Sequence, residues 1–346
     1  MSRATLLRMA PGLAMIAVIA AVTLFSAFRP EPGAEARGRP LETVRFNMSW
    51  LPQGSMAGIF VAIDKGYYAA QGLRVEPMRG FGGTRTVNEL DRGMFEFGYV
   101  DPLGVALNRA NGGRTELVGG LNMRFPAGAC FVRERRTLRR PADLEGLTFG
   151  AGQNSAVQML LPAWLAANGV DPARVRRVQL EPAVVVSALV EGKVDAAECW
   201  LGNSMALFQK SARAAGLTIG RIAYADFGFD VYGSGFATRD ELIARRPDMV
   251  RRFLAATYRG YADAARDPAA AVAIVRRHYP LLDAAVTEQQ LQETVSLMAA
   301  EQGSHALALA KVGRTLDFLR RAGRIKADLP AGAIFTNAYL PKETAQ

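Results

Sequence analysis

With 346 residues, 50% of them hydrophobic and 21% charged, the chain has the composition of a folded globular protein, long enough for two lobes of ordinary domain size. Its formal charge of +10 would suit nucleic acid, but the arginines are scattered and the one dense run, Arg133 to Arg140, holds few aromatics, so no nucleic-acid partner is expected. Only two histidines occur, His278 and His305, which leaves little for a catalytic triad or a histidine metal site.

Residues 1–36 read as an export signal: Arg3 and Arg8 precede an apolar run from Met9 to Phe28, and Ala34-Glu35-Ala36 gives a small-x-small cleavage pattern. The run is long enough that an uncleaved membrane anchor is the competing reading. Cleavage removes three basic and two acidic residues and leaves a charge of +9.

Val44, Phe46 and Met48 alternate with Arg45 and Asn47 as in a half-buried strand. Pro52 and Gly54 break it, Ser55 is a candidate N-cap, and Ala57, Ile59, Phe60, Ile63 and Tyr67 recur at helical spacing until Gly66. Leu73, Val75 and Pro77 form a second strand. It leads to the glycine-rich turn Phe81-Gly82-Gly83-Thr84, where Thr84 is a candidate cap, and a helix to about Arg92. The turn lacks the lysine and spacing of a phosphate-binding loop. A third strand, Phe95 to Val100, ends in Tyr99-Val100-Asp101. Parallel strands with right-handed crossovers bring these ends to one sheet edge, where free N–H groups and helix dipoles favour a ligand.

Ala129 to Glu134 is expected to leave this first lobe. The second contains the strand Thr148-Phe149-Gly150, a helix N-terminus at Gln153-Asn154-Ser155, and a strand ending Glu198-Cys199-Trp200 before Asn203. Asp226 to Tyr232 is an aromatic loop, Gly233 to Thr238 a return segment, and helices run to about Arg321. Cys130 and Cys199 sit in apolar strand-like contexts far apart in sequence and are expected to be buried free thiols rather than a bridge. His278 is expected at a helix C-terminus.

The pattern Trp50, Pro52, Ala57-Gly58-Ile59, Ala62, Lys65-Gly66-Tyr67-Tyr68 and Gln71-Gly72-Leu73-Arg74-Val75 resembles the N-terminal signature of periplasmic substrate-binding proteins of ABC importers. The branch it resembles takes up nitrate, sulfonates, taurine and thiamine-pyrimidine precursors. Asp143-Leu144-Glu145-Gly146-Leu147, Lys193-Val194-Asp195-Ala196 and the helices from Thr238 to Asp267 extend the likeness over nearly all of residues 43–346.

The resemblance implies an α/β, type II periplasmic-binding-protein clamp. Residues 43–133 plus 234–346 would form one lobe, 134–233 the other, and two strands the hinge. It implies a monomeric periplasmic receptor without catalysis or cofactor, whose partners are a small ligand and an ABC permease with its ATPase. The ligand-binding candidates are Trp50, Gln53, Ser55, Met56, Phe81, Gly82, Gly83, Thr84, Tyr99, Asp101, Gln153, Asn154, Ser155, Glu198, Trp200, Asn203, Asp226 and Tyr232. Aromatics with Asp101, Glu198 and Asp226 suit a nitrogen heterocycle, with Phe227 a further stacking candidate; Thr84, Gln153, Asn154 and Ser155 suit a sulfonate-like anion. An enzyme of the pyrimidine-precursor synthase type is the alternative, although Met56 stands where pyrimidine-related members carry histidine.

Overall fold

The structure, a computed structural model, describes residues 40–342 apart from Asn154, Gln302, Gly303 and Ala327. The expected signal and the candidate Asn154 therefore lie outside the described residues.

Eight elements come first: β1 (Glu42–Asn47), α1 (Ala57–Asp64), α2 (Tyr67–Ala70), β2 (Leu73–Met78), α3 (Gly83–Asp91), β3 (Phe97–Val100), α4 (Pro102–Ala110) and β4 (Thr115–Asn122). The chain then builds β5 (Ala127–Val132), β6 (Thr148–Gly152), α5 (Ala156–Ala167), β7 (Arg176–Leu180), α6 (Val185–Val190), β8 (Ala196–Trp200), α7 (Ser204–Ala214) and β9 (Ile219–Ala223). It ends with β10 (Ser234–Arg239), α8 (Asp240–Arg245), α9 (Pro247–Arg266), α10 (Pro268–His278), α11 (Ala284–Met298) and α12 (Leu309–Arg321). His278 is the last residue of α10, as its sequence context predicts.

Two mixed five-stranded sheets result, ordered β2-β1-β3-β10-β4 and β7-β6-β8-β5-β9. In the first, β1 runs parallel to β2 and β3, and β10 is antiparallel to β3 and β4. In the second, β6 runs parallel to β7 and β8, and β5 is antiparallel to β8 and β9. β5, AGACFV, is buried throughout, as an interior strand covered on both faces must be.

Two expectations are corrected here. The chain changes sheets between Asn122 and Ala127, not at 129–134, because residues 127–132 pair with β8 and β9. Cys130 and Cys199 consequently sit on adjacent strands and form a disulfide with Cα atoms 5.8 Å apart, not free thiols.

Phe97 stacks on Phe253 with ring centroids 4.0 Å apart, and Phe46 and Phe236 pack around that pair. Helices α1 and α9 approach closely at Gly58 and Gly260: a Cβ on Gly260 would stand 2.8 Å from the Ala62 Cβ. This approach lets the Tyr261 hydroxyl donate to the Ser55 carbonyl at 2.8 Å, fixing the loop after β1. Another apolar core runs from Val87 and Leu103 through Phe125 and Phe229 on the two crossings, with Leu316 and Phe318 of α12, to Phe149 of β6 and Trp164 of α5.

Candidate functional site

Asn47, fully buried at the end of β1, organises the first strand edge. Its Oδ1 accepts from the Ser49 N–H at 2.9 Å and from Thr86 Oγ1 at 3.1 Å, while its Nδ2 donates to Glu89 at 2.8 Å. This turns Ser49 into the left-handed region at φ 64° and lets the loops pair: Gly80 N–H donates to Trp50 O, and Gly82 N–H to Ser49 O. The paired loops display Trp50 and Phe81, 36% and 53% exposed, with the Arg79 and Arg85 guanidinium groups 4.4 and 4.6 Å from the Phe81 ring centre.

Neither expected cap forms in this region. A 3-10 turn over Gly54–Met56 precedes α1, and Ser55 Oγ accepts from Gln53 Nε2 at 2.9 Å instead. Gly82, at φ 116°, caps α3 in place of Thr84, which is exposed within its first turn. A Cβ on Gly83 would lie 2.6 Å from Asp101 Oδ2, so the glycine makes room for that carboxyl. Asp101 itself caps α4, accepting from Gly104 N–H at 2.8 Å. Burial raises its pKa, and the backbone donors oppose the rise only in part.

Tyr99 lies next along this edge. Asn122 Nδ2 donates to its hydroxyl at 2.8 Å, Ser234 hydrogen-bonds the same oxygen, and burial pushes the phenol up to about 12. Asn122 and Ser234 are directly paired in register at the end of β4 and the start of β10, so this trio marks the floor where the chain crosses between sheets.

At the second sheet's edge, the Glu198 carboxylate accepts from Gly152 N–H at 2.8 Å, from the Ser155 hydroxyl, and from the Trp200 side chain. Ser155 also caps α5 as expected, accepting from Val157 N–H at 3.2 Å. Burial raises the Glu198 pKa, against the pull of these donors. Trp200 packs edge-on to Phe125 at 5.5 Å, and Gln153 is exposed beside the cluster.

Helix α11 joins the two edges. Gln290 accepts from Gly54 N–H at 2.9 Å and donates to Asn203 O at 3.0 Å, and Glu293 accepts from Gly202 N–H at 2.7 Å. At the N-cap of α11, Asp283 pairs with Lys210, and within the helix Gln289 donates to Gln209. None of these α11 residues was legible as site-forming in the sequence, because polar residues on a C-terminal helix carry no sign of what they face.

Three candidates stand apart. Met56 is fully buried in the first core. Tyr232 is buried, its hydroxyl donating to Glu301 and accepting from Ala308 N–H. Asp226 is exposed in an ion pair with Arg124. A groove of about 370 Å³ opens between α3 and α4, from Thr84 to Gly113, and shares only Thr84 with the candidates.

Residues 53–271 match the NMT1/THI5 like family. The riboflavin-binding protein RibY of Chloroflexus aurantiacus is 30% identical over 323 residues, covering 90% of this chain and 89% of that protein. The chain belongs to the NMT1/THI5 like family. The fold of this family member also matches the periplasmic aliphatic sulphonate-binding protein SsuA of Escherichia coli, with a TM-score of 0.67 at 15% identity over 86% of this chain and 99% of that one. SsuA of Xanthomonas axonopodis pv. citri, bound to MOPS, gives 0.63 at 15% identity over the same shares. At these identities the likeness establishes the fold: this NMT1/THI5 like chain is a bilobed periplasmic-binding-protein clamp.

Proposed function

We propose that this chain is the extracytoplasmic receptor of an ABC importer, closing two lobes on a nitrogen heterocycle of the flavin kind and presenting it to a membrane permease. The observation that carries the ligand class is that β3 and β8, one strand from each sheet, lead into the carboxyl groups of Asp101 and Glu198, both with pKa raised by burial. Their carboxyl oxygens are acceptors that suit ring N–H or amino groups, whereas an oxyanion brings only further acceptors. Exposed Trp50 supplies a stacking face, and the RibY relative's named ligand is riboflavin. The synthase alternative is disfavoured because Met56, where a histidine would stand, is fully buried in the core.

A thermal-shift and flavin-fluorescence titration tests this reading. A ligand at a hundred times its Kd adds about 2.7 kcal/mol of stability. Riboflavin and related heterocycles are expected to raise the melting temperature and alkanesulfonates to leave it unchanged. Stabilisation by sulfonates alone would overturn the heterocycle reading.

A further inference from the structure

The groove of about 370 Å³ between α3 and α4 has a volume in the small-molecule range, and the candidate site takes up only its Thr84 end. Helical period builds it: Thr84, Asn88 and Arg92 recur every four residues along α3, and Gly104 and Asn108 do so along α4, so one stripe faces the other. Its near end adjoins the first strand edge. A Cβ on Gly104 would stand 3.7 and 3.8 Å from the two Asp101 carboxyl oxygens, and Thr84, Gly104 and Asp101 together line a further gap of about 10 Å³.

The groups that line the groove are accessible and largely unspent. Asn88 and Arg92 are exposed, and among the described residues their side chains make no hydrogen bond or ion pair. Asn108 uses its Oδ1 on the Thr115 N–H at 3.3 Å and keeps both amide hydrogens. Asp91 accepts from the Arg114 N–H through one oxygen and keeps the other. Thr84, exposed at the near end, adds a hydroxyl. Donors and acceptors are therefore mixed along the groove, with one guanidinium and one carboxylate among them. An oxyanion in it meets the Asp91 carboxylate, and an ammonium meets the Arg92 guanidinium. A hydroxyl, which both donates and accepts, suits every position.

Resting on the heterocycle reading above, we propose that the groove between α3 and α4 is a subsite for a polyhydroxylated side chain carried by the ring that meets Asp101. The ligand class is a heterocycle bearing a neutral polyol chain, its ring nitrogen on the Asp101 carboxyl and its hydroxyls on Asn88, Asp91, Arg92 and Asn108. A ring without the chain leaves the groove to water, and a polyol without the ring forgoes Asp101 and the Trp50 face.

The test titrates wild type and the Asn88→Ala/Arg92→Ala double variant with riboflavin and with lumiflavin, the same ring with a methyl group in place of the polyol chain, and screens wild type against alkanesulfonates by thermal shift. Alanine at two exposed positions of α3 suits a helix, so the variant is expected to fold. Wild type is expected to bind riboflavin roughly tenfold or more tightly than lumiflavin, the effect of one or two neutral hydrogen bonds. The double variant is expected to bring the riboflavin Kd to that of lumiflavin and to leave the lumiflavin Kd where it is. Equal wild-type affinity for the two flavins, a preference that survives the double variant, or a variant that weakens both flavins alike overturns the inference and leaves the heterocycle reading standing. A wild type stabilised by sulfonates and by neither flavin overturns both.

Discussion

Cys130 on β5 is joined to Cys199 on β8, across two adjacent antiparallel strands of the second sheet and immediately beside Glu198. The bond closes a loop over a sequence separation of 69. By the chain-entropy argument, a loop of that length stabilises the fold by about 4 kcal/mol. The chain unfolded without reductant is expected to show no titratable thiol, and the Cys130→Ala/Cys199→Ala double variant to lose stability of that order in denaturant melts. Free thiol in the unreduced chain would refute the pairing.

Gln290 ties the loop after β1 to the turn after β8 through one side chain. Gln290→Ala strands the buried Gly54 N–H and frees Asn203, so unfolding free energy should fall by about 2 kcal/mol. Because the same contact spans both edges, ligand Kd should rise as well. Unchanged values of both would show that α11 does not act as a strap.

Trp50 presents a large apolar ring at the mouth of the first edge, and only its backbone carbonyl is tied to the neighbouring loop. Trp50→Ala should therefore weaken heterocycle binding roughly tenfold or less, the range of an aromatic stacking contact. The ligand-free melting temperature should barely move, as for surface substitutions generally. A large drop in melting temperature would place Trp50 among core residues instead.

His305 stacks on Tyr258 at 3.7 Å and its Nδ1 lies 3.1 Å from the Gly120 carbonyl, in a site whose burial pushes its pKa from 6.5 down to about 4. Between those values the unfolded chain binds a proton on this ring that the folded protein does not. The group's contribution is therefore complete above pH 6.5 and shrinks as pH falls, by about 3 kcal/mol at pH 4. His305→Gln should flatten the decline in melting temperature over that window; matching declines in both proteins would contradict this account.

What the sequence determined by itself was local. Period-two and helical spacing located β1 and α1, Gly66 ended the helix at φ 71°, Ser155 announced the start of α5, and Tyr99-Asp101 and Glu198-Trp200 read correctly as strand ends. These follow from backbone preference and side-chain period, which act over a few residues. The tertiary structure alone decided which sheet β5 joins: an all-apolar run fits the interior of either, so pairing energy, not composition, makes the choice. That one assignment moved the crossing to 123–126 and brought Cys130 beside Cys199. The same holds for Met56 and Tyr232, whose types suit a cleft or a core equally, and for Asn122 and Gln290, whose hydrogen bonds to Tyr99 and Gly54 arise only where distant segments meet.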